Sequence, residues 1–304
     1  MSVSMDALPG SSRRSRQHRR RWTGWGFIAP FMVVFAFALV VPVGYAIYLS
    51  LFRTQLIGGN SFVGLSNYHQ AIEDAKFWAS LGRVALFLVV QVPIMLILAL
   101  AAALALDSAR LHWAPLYRLS IFLPYAVPAV VASLMWGFMY GNQFGLVASI
   151  NNALGTHLPD PFSKGLVLTA IGNIVTWEFV GYNMLIFYSA LRTIPNDLYE
   201  SAETDGAGAF RVIRSIKLPS LRPAILIATI FSIIGSFQLF NEPNILKPLS
   251  PNTIATYFTP NMYAYNLSFA GQEYNYSATI AIIMGILTVI IAYAVQLWGT
   301  RKEA

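Results

Sequence analysis

Six long apolar runs constrain the possible fold of this chain more than any other feature of its sequence. Each run has about twenty residues or more, the length that a helix needs to cross a bilayer core about 30 Å thick. Only helices and closed barrels satisfy their backbone polar groups in lipid, and these runs are too long and continuous for barrel strands. The runs lie at residues 24–52, 78–106, 117–140, 165–190, 222–242 and 277–299. The sequence therefore predicts an all-α transmembrane protein, a six-helix polytopic bundle.

The composition agrees with a membrane environment and excludes several kinds of chemistry. Only 11% of the residues are charged and 56% are hydrophobic, whereas about a quarter of the residues of a soluble domain are charged. The absence of cysteine excludes disulfides and thiolate nucleophiles. The first run has a basic flank like that of a signal peptide, but it is much longer than the roughly 7–15 residues of a signal-peptide core. We therefore interpret it as an uncleaved anchor.

The distribution of basic residues predicts the orientation of the chain. If the N-terminus is cytoplasmic, fifteen Lys and Arg residues fall on the inner side and four on the outer side, with Arg83 near the outer end of the second run. Because inner loops carry the excess of Lys and Arg, both termini are expected in the cytoplasm. The expected organisation is a basic cytoplasmic tail at 1–23, a transmembrane domain at 24–300 and a cytoplasmic C-terminus at 301–304. The net charge of +7 then indicates membrane orientation and not nucleic acid.

Two further expectations concern the shape of the spans and of the outer loops. Prolines inside the runs, among them Pro124 and Pro128 in the third, are expected to kink helices that remain packed. The outer loops at 53–77, 141–164 and 243–276 are expected to be irregular.

The segment Ile194–Pro223, between the fourth and fifth runs, reads differently from an ordinary loop. Pro195 suits the start of a short helix at about 197–204, which Gly206 and Gly208 then break. A second short helix at about 209–217 should end at Pro219. Two short helices at a sharp turn predict a knob that binds a protein partner. The alternative is an amphipathic connector lying on the membrane surface.

A long gapped motif in this segment resembles one from a known family. Glu200-Ser201-Ala202, three residues, Gly206, nine residues and Ile216-Lys217-Leu218-Pro219 resemble the EAA motif of binding-protein-dependent ABC importer permeases, with Ser201 in place of the usual Ala. Matches in the first outer loop and in the third and fourth runs are similar to the oligosaccharide branch, the maltose-type membrane subunits. They lie at Phe62–Tyr68, from Phe122 to Trp136 and from Trp177 to Ala190. The resemblance covers about 24–300 and implies the type I ABC importer permease (MetI-like) fold.

The resemblance implies a permease subunit that imports a sugar, expected to be a di- or oligosaccharide, delivered by an extracytoplasmic sugar-binding protein or lipoprotein. The other expected partners are a second homologous permease subunit, a dimer of ATP-binding subunits and membrane lipid. The chain contains no G-x-x-x-x-G-K-[ST] phosphate-binding motif, so ATP-Mg is expected on the partner ATPase and no cofactor on this chain. The expected location is the bacterial cytoplasmic membrane.

In that family the cytoplasmic coupling loop, here 192–222, docks in a groove of the ATPase. The residues assigned to ATPase coupling on this resemblance are Tyr199, Glu200, Ser201, Ala202, Asp205, Gly206, Ala207, Phe210, Ile216, Leu218 and Pro219.

Polar residues inside the spans are candidates for sugar binding, because they are costly in lipid and tend to be functional. The fourth run offers Glu178 and Asn183, and the fifth offers Ser232 and Glu242 beside the residues assigned below. For Glu178 the alternative is an interhelical hydrogen bond or a pair with a residue of the second permease subunit, and for Trp136 it is packing or a place in the interfacial aromatic belt. With the resemblance to the maltose-type subunits, the predicted sugar-binding residues are Trp136, Trp177, Glu178, Ser236, Gln238 and Asn241.

Two other functions remain as alternatives. An ion-coupled secondary transporter would need internal repeats and intramembrane ionisable residues, and the sequence offers no visible repeat and mainly Glu178. A membrane enzyme would need a catalytic constellation, and the four histidines are scattered without metal-ligand spacing. We therefore expect a permease and not an enzyme.

Overall fold

The computed structural model describes residues 25–55, 59–108, 111–141 and 143–300. The predicted tail at 1–23, the C-terminus at 301–304 and Arg110, one of the inner basic residues, lie outside the described residues. The proposed division of the chain at these points stays a prediction.

The described part of the chain is almost entirely helical, with one two-stranded antiparallel hairpin. Strands β1 (Phe52–Gln55) and β2 (Gly59–Phe62) pair with Phe52 opposite Phe62. The helices are α1 (Trp25–Ser50), α2 (Ser66–Glu73), α3 (Ala75–Leu106), α4 (Ala114–Phe122), α5 (Ala129–Met139), α6 (Leu146–Leu154), α7 (Val167–Leu191), α8 (Asn196–Thr204), α9 (Ala209–Val212), α10 (Leu218–Ser220), α11 (Arg222–Phe237), α12 (Asn241–Leu246), α13 (Pro260–Phe269) and α14 (Tyr274–Thr300).

Five helical segments of the described chain are long and apolar enough to cross a membrane: α1, α3, α7, α14 and the segment Arg222–Leu249. A sixth span results if the bent pair of α4 and α5 is taken as one crossing. The predicted all-α membrane bundle is confirmed, with span ends within three residues of the expected ones except at the fifth, whose segment extends to Leu249 and not to 242.

The third span differs from the helix expected at 117–140. The segment Ala114–Ala126 and helix α5 meet at an angle of 97°, far more than a packing kink. Val127 has φ −79° and ψ 129°, an extended conformation, because a residue before proline is disfavoured in the α region. Pro128 supplies no N–H and starts the new helix. The Val127-Pro128 pair therefore breaks the span.

The outer loops are also more regular than expected. The hairpin and α2 occupy 53–77, α6 lies within 141–164, and α13 lies within 243–276. The side chain of Thr259 accepts a hydrogen bond from the N–H of Met262, which satisfies an orphan donor at the start of α13. The prediction of irregular loops was wrong, since each of the three loops contains a short helix.

Helix α3 lies at the centre of the bundle and packs along α7 and α11. Ala99 and Ala103 of α3 are fully buried, and small side chains of this kind let helices in lipid approach closely. They belong to a cluster with Leu191 and Leu221 at the end of the bundle that carries residues 192–222. We call this segment the EAA loop. The arrangement joins the loop to α3 through a continuous apolar core.

Candidate substrate cavity and EAA loop

A cavity of about 270 Å³ lies between α3, α7 and the fifth span, Arg222–Leu249, which contains α11 and α12. Its aromatic lining consists of Phe87, Phe179, Tyr182, Phe231 and Phe240. Its polar lining consists of Gln91, Asn183, Ser232, Ser236, Gln238, Asn241 and Glu242. No Lys, Arg or His is among the described residues that line it. Flat aromatic faces combined with hydroxyl and amide groups form a surface suited to a neutral polyhydroxylated ligand.

A break in the fifth span exposes much of the polar lining. Helix α11 ends at Phe237, and α12 begins at Asn241. Phe240, with φ −147° and ψ −50°, lies in neither helix. The break turns Gln238 and Asn241 toward the cavity, where Ser236 also lies. Three of the six predicted sugar-binding residues therefore share one cavity.

The other three predicted residues, Trp136, Trp177 and Glu178, form a neighbouring cluster and are not among the cavity lining. The rings of Trp136 and Trp177 meet edge to face with centroids 5.9 Å apart. Glu178 is only 3% exposed, and its Oε2 has no hydrogen-bond partner among the described residues. The buried Nε1 of Trp136 likewise has none.

Glu242 connects the cluster to the cavity. It lines the cavity, is 6% exposed and acts electrostatically on the carboxylate of Glu178. Burying a polar group without a partner is costly. Among the described residues nothing donates a hydrogen bond to Oε2 of Glu178 or accepts one from Nε1 of Trp136, so each atom calls for a partner from outside them. Sequence analysis named Glu242 as a polar residue of the fifth run but did not assign it to the site.

The bent third span closes one side of the cavity. Tyr125, just before the break, stacks on Tyr182 with ring centroids 4.8 Å apart. At Gly181 an added Cβ would lie 2.1 Å from the carbonyl oxygen of Ile121. Because only glycine allows this approach, Gly181 fixes the bend against α7 and so positions Tyr182.

Gln91 is a site residue that sequence analysis missed. Its Nε2 donates a hydrogen bond of 3.2 Å to Thr176 Oγ1 of α7, and the side chain lines the cavity. An amide in the middle of the very apolar second span was a visible signal for it.

The EAA loop begins as expected and turns sharply at Gly206. Helix α8, Asn196–Thr204, confirms the expected helix at about 197–204. Gly206 has φ +71°, and its N–H donates to Glu203 O while the N–H of Ala207 donates to Ala202 O. This hydrogen-bond pair is a Schellman motif, which ends a helix with a residue in the left-handed conformation.

The second half of the loop is longer than expected. Helix α9 passes through a π-helical turn, Ile213–Lys217, into α10. Pro219 lies in the first turn of α10, where its missing N–H is tolerated. The expectation that Pro219 ends the helix was therefore wrong.

The residues assigned to coupling divide into two groups by exposure. The exposed ones are Glu200, Ser201, Asp205, Gly206, Phe210 and Pro219. The partly buried ones are Tyr199, Ala202, Ala207, Ile216 and Leu218. Tyr199 and Ile216 pack against the core cluster with Leu221, whereas Phe210 is 75% exposed. A large exposed aromatic side chain on a folded loop is a feature of protein interaction surfaces.

Comparison with known proteins identifies the family. The family described as "Binding-protein-dependent transport system inner membrane component" matches residues 22–302. The chain belongs to this family. It is therefore a multi-pass membrane component of a transport system and not an enzyme, as predicted.

Several members of this family are similar along nearly their whole length. The lactose transport system permease protein LacF of Rhizobium radiobacter is 31% identical over 96% of this chain and 99% of its own length. The trehalose transport system permease protein SugA of Mycobacterium tuberculosis is 29% identical over 95% of this chain and 92% of its own. The alternative of an ion-coupled secondary transporter finds no support among these relatives.

Solved structures confirm the fold. A chain of a bacterial ABC transporter involved in the import of the acidic polysaccharide alginate superposes with a TM-score of 0.83 at 17% identity, covering 95% of this chain and 99% of that chain. A second structure of an alginate transporter, in complex with a periplasmic protein bound to an alginate pentasaccharide, gives a TM-score of 0.80 at 18% identity and covers 94% of this chain and 96% of that chain.

Proposed function

We propose that this chain is a permease subunit of an ABC importer and that it conducts a di- or oligosaccharide through the cavity between α3, α7 and the fifth span. The observation that carries the proposal is the cavity itself, where aromatic walls meet Gln238, Asn241 and Glu242 beside the unpartnered Oε2 of Glu178. Sugar hydroxyls both donate and accept hydrogen bonds, so a bound sugar can supply the donor that Glu178 lacks. The relatives named for lactose and trehalose transport support this substrate class.

A second permease subunit completes the pathway in this proposal. The cavity of about 270 Å³ is slightly smaller than the roughly 300–1,000 Å³ of typical ligand sites, and it is formed by one chain only. A homologous partner facing it would enlarge the enclosed volume and supply the remaining polar contacts.

The EAA loop is the proposed contact with the ATPase. Its exposed residues, Phe210 foremost, would dock on an ATP-binding subunit that carries ATP-Mg, and its partly buried residues join the loop to the spans. In this proposal both termini and the loop lie in the cytoplasm, which the excess of Lys and Arg expected on that side supports. A binding protein would deliver the sugar at the opposite end.

The test is uptake of labelled sugar by the reconstituted importer, after a sugar panel on its binding protein has identified the probe. Asn241→Ala and Glu178→Ala should each lower uptake about fivefold or more, since loss of a buried hydrogen bond costs about 1–3 kcal/mol. Both variants should still co-purify with the ATPase. Asn252→Ala is the matched control for Asn241→Ala, because both asparagines are exposed but Asn252 borders a separate cavity near Gly137. Wild-type uptake by both cavity variants would place the sugar site elsewhere.

A further inference from the structure

A buried ion pair joins the EAA loop to the second span. Lys217 Nζ donates a hydrogen bond of 2.6 Å to Asp107 Oδ2, and the two side chains are only 14% and 9% exposed. By contrast, the side chains of the His69 and Glu73 pair at the opposite end of the bundle are 74% and 71% exposed. Exposed pairs of that kind do little to fix the relative position of two segments, so the two pairs provide a natural comparison.

Three segments meet at this pair. Asp107 is the C-cap of α3, Lys217 ends the π-helical turn of the EAA loop, and Lys217 Nζ lies 5.5 Å from the centroid of the Tyr199 ring of α8. A cation over an aromatic face is attracted by the ring. Lys217, in the second half of the EAA loop, therefore contacts both α8 in the first half of the loop and the C-cap of α3.

The hydroxyl of Tyr199 faces the same charges. Burial and the nearby carboxylate of Asp107 raise the pKa of Tyr199, while Arg192 opposes them. Among the described residues, Lys217, Asp107 and Arg192 are the charged groups that act on Tyr199, which stays neutral at physiological pH.

A buried ion pair is a weak source of net stability, because desolvation offsets much of the attraction. Breaking it, however, leaves an uncompensated buried charge, so the two groups are held together in one geometry. The apolar cluster around Leu221 resists separation of the loop and the span, but it is not directional. The ion pair, unlike hydrophobic packing, fixes the relative orientation of the loop and the end of α3.

Helix α3, whose C-cap is Asp107, is one of the helices that reach the cavity. Phe87, Gln91 and Met95 of α3 line the cavity, and α3 runs without interruption from Ala75 to Leu106. We infer that Asp107 and Lys217 are positioning residues that transmit displacement of the EAA loop to the second span and so to the cavity. This inference rests on the proposed coupling of the loop to an ATPase.

The experiment compares Asp107→Asn, Lys217→Met and the charge-swapped double variant Asp107→Lys with Lys217→Asp in the complete importer. Three quantities are measured: recovery of the ATPase subunit by pull-down, ATP hydrolysis stimulated by the sugar-loaded binding protein, and sugar uptake per ATP hydrolysed. Glu73→Gln, from the exposed pair with His69, is the control.

Each single variant should retain the ATPase but lose uptake per ATP by about fivefold or more, the lower end of typical coupling between sites. The double variant should recover most of that ratio, since it restores an ion pair of opposite polarity. The control should behave as wild type. Retention of the ATPase by the single variants separates a loss of coupling from a loss of folding, because a misfolded loop would not hold the ATPase, and rescue by the swap shows that the pair itself is responsible.

Wild-type uptake per ATP in both single variants would overturn the inference. So would loss of the ATPase from the pull-down in both single variants, because the pair would then only stabilise the loop. If the wild-type complex neither retains an ATPase nor transports any sugar of the panel, the proposed function itself fails, and this result is distinct from the other two.

Discussion

Asp74 and Asp107 cap opposite ends of the same helix, and each is bound by side chains from other parts of the chain. Asp74 Oδ2 accepts hydrogen bonds of 2.6 Å from Tyr263 Oη and 2.7 Å from Tyr276 Oη, while Asp107 accepts from Lys217. The helix between them has 32 residues and is therefore about 48 Å long. With both ends tied by charge-assisted hydrogen bonds, it is suited to move as a rod.

The stability that the hydrogen bonds to Asp74 give the fold should depend on pH. Burial raises the pKa of Asp74, but hydrogen bonds from Tyr263, from Tyr276 and from the N–H groups of Lys76 and Phe77 outweigh it, so the pKa lies below the usual value. A carboxyl group with a lowered folded-state pKa stabilises the fold above its unfolded pKa of about 3.9 and ceases to do so as pH falls through the folded pKa.

We therefore predict that Asp74→Ala lowers the free energy of unfolding by about 1–3 kcal/mol at pH 7. The difference from wild type should shrink below about pH 4. Thermal unfolding of the purified protein between pH 7 and pH 3 measures it. Glu73→Ala, an exposed neighbour, is the control, and equal effects of the two variants at pH 7 would contradict the prediction.

Gly206 should matter through its backbone angle. Nothing lies within 4 Å of an added Cβ, but φ is +71°, a conformation that costs other residues about 1–2 kcal/mol. Gly206→Val should disturb the turn of the EAA loop and reduce stimulated ATP hydrolysis and uptake while the spans still insert. Gly206→Asn should preserve function, since asparagine tolerates the left-handed region.

The two Gly206 variants are compared in reconstituted membranes. A Gly206→Val complex with wild-type stimulation and uptake would refute a coupling role for this turn.

Gly181 should matter because there is no space beside it for a side chain. Gly181→Ala would place a methyl group against the backbone of Ile121, and we expect a loss of about 1–3 kcal/mol from overpacking. Gly285→Ala in α14 is the matched control, because nothing lies within 4 Å of its added Cβ. Melting temperatures of the two variants in the same detergent test this, and a Gly181→Ala protein as stable as the Gly285→Ala protein would show that the third span is not held as described.

The orientation can be tested directly because the chain contains no cysteine. Ser220→Cys in the EAA loop should resist a membrane-impermeant thiol reagent in intact cells and react after permeabilisation. Asn60→Cys in the hairpin should react in intact cells, since both positions are exposed and are expected on opposite sides. The reverse pattern would invert the proposed topology.

Hydrophobic patterning predicted most of the fold, because the cost of burying backbone polar groups in lipid leaves few alternatives. Turn chemistry predicted α8 and its end at Gly206. The break at Val127-Pro128 was not foreseen, since proline in a membrane span permits a slight kink as well as a full bend, and the packing of Gly181 selects between them.

The candidate site was predicted only in part. Ser236, Gln238 and Asn241 meet in one cavity because the fifth span breaks after Phe237, which hydropathy did not reveal. The separation of Trp136 and Trp177 from that cavity depends on how the bent span packs. The ion pair of Asp107 and Lys217 joins residues 110 positions apart, and no local pattern connects them.

The break at Val127-Pro128 also has a consequence for hydration. A helical segment that ends at Ala126 leaves its last carbonyl groups without intrahelical donors, and non-helical backbone at membrane depth persists only where protein or water satisfies it. Ala129, immediately after the break, lines the cavity. The bend thus brings main-chain acceptors beside the cavity. Ordered water bound to them would keep a polar path open through an otherwise apolar wall when no sugar is bound.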